Sequence, residues 1–80
     1  MPLYFFNCEG AQNFRDAEGT ELPDLGAARI QAVRNAAEVL DDHAEAFADH
    51  PDWRIFVTDE AGATVFAFVV RADVGREEPA

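Results

Sequence analysis

The stretch 24–49 constrains this chain most. Ile30, Val33, Ala37, Leu40, Ala44 and Phe47 recur there at alternating spacings of three and four. That rhythm predicts one long amphipathic helix with all six on one face. Asp24 is a good N-cap, and Pro51 blocks continuation past His50. At 1.5 Å per residue the helix reaches about 37 Å. Strands of six or seven residues reach only about 20–23 Å, so the helix end must kink, fray or overhang its sheet. Its C-terminal half is acidic, where the macrodipole disfavours anions. Glu38–Asp42, Asp41–Glu45 and Glu45–Asp49 are like-charge pairs at i,i+4.

The segments around the helix alternate as strands do. Leu3 to Cys8 reads as a strand with Tyr4, Phe6 and Cys8 inward and Leu3, Phe5 and Asn7 outward. Glu9-Gly10 predicts a turn, followed by a weaker edge strand over Gln12 to Arg15. A second turn, Asp16 to Gly19, leads through Thr20–Pro23 into the helix. Trp53 to Thr58 is the third strand, with Trp53, Ile55 and Val57 inward and Phe56 outward. Asp59 to Gly62 closes a hairpin, and Thr64 to Val70 is the fourth strand. There Phe66, Phe68 and Val70 are expected inward, and Val65, Ala67 and Val69 outward.

The predicted class is α+β: a two-layer β-β-α-β-β unit with a four-stranded antiparallel sheet and one long helix on one face. Strand order 2-1-3-4 makes every pairing antiparallel. Residues 1–72 form the single expected domain, and 73–80 a frayed tail. Eighty residues bury only about 60% of their unfolded surface.

Charge and residue usage exclude several chemistries. The net charge of −10 argues against nucleic acid and anionic membranes and allows basic partners. The chain has no Ser and no Lys, which removes a Ser nucleophile, a Schiff base and the phosphate-loop lysine. The lone Cys8 faces the expected core as a small hydrophobe. No export signal and no membrane-length apolar run is recognisable, so a cytoplasmic location is expected. Neither a cofactor nor enzymatic activity is expected.

Several motifs together resemble one family. They are Met1-Pro2-x-Tyr4-Phe5-Phe6, Asp16-x-Glu18-Gly19-x-Glu21-Leu22-Pro23-Asp24-Leu25, Ala28-Arg29 and Val57-Thr58-Asp59-Glu60-x-Gly62. They look like short bacterial proteins, common in rhizobia-like bacteria, catalogued as a domain of unknown function. The resemblance covers nearly the whole chain. It implies a bacterial cytoplasmic protein with this strand-helix-strand plan, and no activity. Asn7 stands where related sequences often have His.

Three constellations invite a functional reading. Leu3, Phe5, Phe56, Val65 and Val69 are expected on the outer sheet face, which one helix cannot cover. They predict a self-associating, non-catalytic interaction or regulatory module, a homo-oligomer and most simply a dimer. Glu38, Asp42, Glu45 and Asp49 form an acidic stripe suited to a basic protein, the adaptor or decoy alternative. His43 and His50, seven apart beside carboxylates, are a weak transition-metal candidate. The acids Glu9, Asp16, Glu18, Glu21 and Asp24 lack the spacing of a calcium loop.

Overall fold

A computed structural model describes residues 1–10, 13–49 and 52–71. Its elements in chain order are β1 (Leu3–Gly10), β2 (Thr20–Glu21), α1 (Leu25–Asp42), α2 (Ala44–Asp49), β3 (Asp52–Thr58) and β4 (Thr64–Arg71). The four strands form one sheet in the order β2-β1-β3-β4, and every pairing is antiparallel. The expected α+β class and strand order are both present. The expected tail, 73–80, lies outside the described residues.

The strand phases follow the alternation of the sequence. Phe6 lies opposite Val57 and Cys8 opposite Ile55. Ile55 in turn faces Phe68, and Trp53 faces Val70. These residues make the helix-side layer. Tyr4, Phe6, Cys8, Trp53, Ile55 and Val57 are buried. Val65 departs from its expected outward phase. Val57 pairs with Phe66 but Thr58 pairs with Thr64, so Val65 is the extra residue of a bulge. It packs against the helix-side cluster around Tyr4, Phe6 and Val57.

The helix differs from expectation in length and in facing. Asp24 caps α1, its Oδ1 accepting the Ala27 N–H at 2.8 Å. The eighteen residues of α1 end at Asp42 and are capped by His43, whose φ of −123° and ψ of 36° leave the helical region. At 1.5 Å per residue α1 is about 27 Å long, matched to an eight-residue strand. A second short helix then brings Phe47 onto Trp53, with ring centroids 6.5 Å apart. The break resolves the length mismatch, and no basic residue in the last turn of α1 offsets its anions.

Ala28, Ala32 and Ala36 form the buried face of α1. Their small side chains let the helix backbone settle close over β3. Leu25, Val39 and Leu40 flank them, half-buried. Ile30 and Val33, expected at the core, are 58% and 56% exposed, and Ala37 is exposed too. The helix packs on the sheet as expected, but rotated toward its alanine stripe.

Candidate functional site

The outer sheet face over Leu3, Phe5 and Phe56 is covered by a loop where the sequence predicts a strand over Gln12 to Arg15. Among the described residues of the expected 12–15 strand, only Phe14 bridges β1, at Cys8. The chain then leaves the edge and returns to pair as β2 at Leu3 and Tyr4. Asp16 explains the detour. Its Oδ1 accepts the N–H groups of Glu18 and Gly19, both at 3.0 Å, in a side-chain-mediated turn. Its Oδ2 accepts the Phe6 N–H at 3.1 Å and pins the turn to β1. Burial pushes the Asp16 carboxyl up, but the N–H groups of Gly19, Phe6 and Glu18 outweigh it and hold it below its ordinary value.

Asn7 completes the tie. Its Oδ1 accepts the Asp16 N–H at 3.0 Å, and its Nδ2 donates to the Phe5 carbonyl at 3.2 Å. Gly19 passes directly over Leu3 and Phe5. A Cβ there would lie 2.9 Å from Leu3 Cγ and 3.0 Å from the Phe5 ring, at a φ of +77° that itself favours glycine.

Phe56 is only 4% exposed although it points away from the helix. The Arg54 and Arg15 guanidinium groups lie 4.4 and 4.8 Å from its ring centroid. Glu9 contacts both, at 3.4 Å from Arg54 and 3.9 Å from Arg15. Of the five residues expected to form an apolar outer face, Phe56 is therefore covered, Leu3 and Phe5 are half-buried, and Val65 packs on the helix side. Val69 alone stays open, at 56% exposure.

Partly exposed apolar surface also runs along β4. Among the described residues β4 pairs only with β3, so its far edge presents unpaired backbone groups. From Val65 to Val70 the strand is entirely apolar, and Arg71 is its only charge. On the helix side Phe66, Phe68 and Val70 are only half-covered. Arg29 reaches Phe66 from α1, 5.6 Å from its ring centroid. Val33, one turn further along, lies on that same flank. The open edge and the half-covered aromatics adjoin, and exposed Val33 shares the helix face of Arg29.

On the opposite flank of α1 a cleft of about 310 Å³ opens between the helix and β1. Phe6, Cys8, Ile55 and Trp53 line its sheet side, and Asn35, Glu38 and Val39 line its helix side. Burial pushes the Cys8 thiol up, opposed by hydrogen bonds with Trp53 and the Phe14 backbone. The group is a protonated thiol within the core and a poor nucleophile.

The acidic stripe and the histidines are placed less favourably. Glu38, Asp42 and Glu45 are exposed, but the break at His43 divides them between α1 and α2. Asp49 closes α2. His43 is exposed at the end of α1, and His50 lies outside the described residues. Among the described residues, no three of His, Cys, Asp and Glu are grouped to hold a metal ion. No helix among them is long and apolar enough to cross a membrane.

A family model described as "Domain of unknown function (DUF6894)" matches residues 3–71, the span from β1 to the end of β4. No curated protein and no solved structure matches the chain.

Proposed function

The chain belongs to that family of domains of unknown function, and from its own surfaces we propose that it is a small non-catalytic interaction module that pairs with a second copy through the open edge of β4. The observation that carries this reading is β4 itself: an eight-residue edge strand, apolar from Val65 to Val70, with nothing paired along its outer edge among the described residues. Natural edges of that length are commonly blunted by Lys, Pro or inward charges. This one has none of them between Val65 and Val70. Antiparallel pairing about a two-fold axis satisfies both edges at once. It extends the sheet to eight strands with both helices on one side. The Val33 flanks then face each other across the seam and cover Phe66, Phe68 and Val70.

Sedimentation or light scattering tests this. The wild type is expected at twice 8.8 kDa. Ala67→Lys/Val69→Lys places like charges on the exposed side of the edge strand and is expected to run as a monomer with a near-unchanged fold. A wild type that stays monomeric at high micromolar concentration overturns the proposal.

A second reading has its own support. Glu38, Asp42 and Glu45 are exposed and none is in an ion pair among the described residues. With a net charge of −10, they suit a basic protein partner. Capture that weakens with salt supports an adaptor role, and capture indifferent to salt counts against it.

A further inference from the structure

The cleft between α1 and β1 lies away from the β4 edge and is not used by the proposed self-association. β2 is only two residues long, and the chain beside Phe6 and Cys8 is held to β1 by ties at Asp16 and Phe14, which with Thr20 line the cleft on that side. Its sheet side is apolar: Phe6, Ile55 and the indole of Trp53, which is 2% exposed. Val39 and Ala36 continue that lining on the helix. The rim is polar and asymmetric. The Asn35 amide is engaged, its Oδ1 accepting from Gln31 Nε2 at 2.8 Å. Asp16 is committed to backbone N–H groups. Neither lining carboxylate is in an ion pair among the described residues; Glu38 differs from Asp16 in accepting none of the backbone N–H bonds that occupy Asp16, and it is exposed at the mouth.

The geometry points to a binding site for a small amphipathic cation, with an aromatic or branched apolar body in the cleft and an ammonium group against Glu38. The volume sits at the small end of ligand pockets, which suits a one- or two-ring molecule. The apolar lining supplies the body's binding surface. The unpaired carboxylate and the net charge of −10 select the sign of the head group and exclude a fatty acid or another anion. Trp53, the chain's single tryptophan, lies in the cleft wall and reports occupancy by its emission.

Phenethylamine and 3-phenylpropanoic acid test this on the full chain, because they share a ring and a two-carbon spacer and differ in head charge. At neutral pH phenethylamine is expected to shift Trp53 emission saturably and to bind about two- to fivefold tighter than the carboxylate, as one exposed ion pair predicts. Glu38→Gln, an exposed substitution, is expected to remove most of that preference while leaving the melting curve unchanged. If the preference survives Glu38→Gln, a charge other than Glu38 is responsible, and the site assignment fails. It fails equally if the two probes bind alike, or if neither moves Trp53 emission up to millimolar concentration.

Discussion

Asp16 Oδ2 accepts the Phe6 backbone N–H at 3.1 Å, and this bond between a loop carboxylate and a strand amide shapes one whole face of the molecule. It holds the 13–19 segment against the sheet, brings Arg15 over Phe56, and leaves the cleft beside Cys8 open on the other side.

Asp16→Asn therefore weakens a group that accepts three backbone N–H bonds. The expected cost is about 1–3 kcal/mol in urea unfolding. The pH dependence follows from the lowered carboxyl value. The ionised group contributes stability in full above its unfolded value of about 3.9, and that contribution disappears as pH falls through the lower folded value. The wild type should lose stability on acidification more steeply than Asp16→Asn in that window. Parallel curves contradict the clamp.

The rotation of α1 is testable by a pair of substitutions. Ala32 is fully buried against the sheet. Ala32→Leu overpacks that contact and is expected to cost about 1–3 kcal/mol or more. Ile30→Ser, on the exposed side, should change stability by about 0.5 kcal/mol or less. The reverse ranking in denaturant midpoints restores the face built on Ile30, Val33 and Leu40.

The arginine cover on Phe56 predicts coupling. Arg54→Ala and Phe56→Leu each remove part of one stack, whose ring-to-cation distance is 4.4 Å. A double-mutant cycle is expected to return about 0.5–1 kcal/mol of interaction energy. Additive effects would mean that the guanidinium only shields the ring from water.

These contacts also mark what was legible in the sequence. The alternation of Tyr4, Phe6 and Cys8 with Leu3, Phe5 and Asn7 carried the β1 phase, and Trp53, Ile55 and Val57 did the same for β3. Strand order followed, because antiparallel pairing with short connections leaves few arrangements. Asp24 was readable as a cap because its bond is local. The helix facing was not. Ile30 and Val33 outweigh alanine on any hydropathy count, yet close helix-on-sheet contact selects small residues, and Ala28, Ala32 and Ala36 took the core. The Val65 bulge has no periodic signature, since one inserted residue looks like ordinary alternation until its partner is known. The covering of Phe56 joins residues from three segments, Glu9, Arg15 and Arg54, and no spacing rule reaches across them. Of the five residues expected on an apolar outer face, only Val69 is therefore left fully exposed, and it is the one that the proposed β4 edge retains.

The most direct test of the central claim is backbone amide exchange along β4 as protein concentration is raised. Pairing with a second copy predicts that alternate β4 amides, those turned away from β3, slow as concentration rises, while β1 amides bonded to β3 do not change. Fast exchange of those β4 amides at every concentration, or concentration-dependent protection confined to another element, would contradict it.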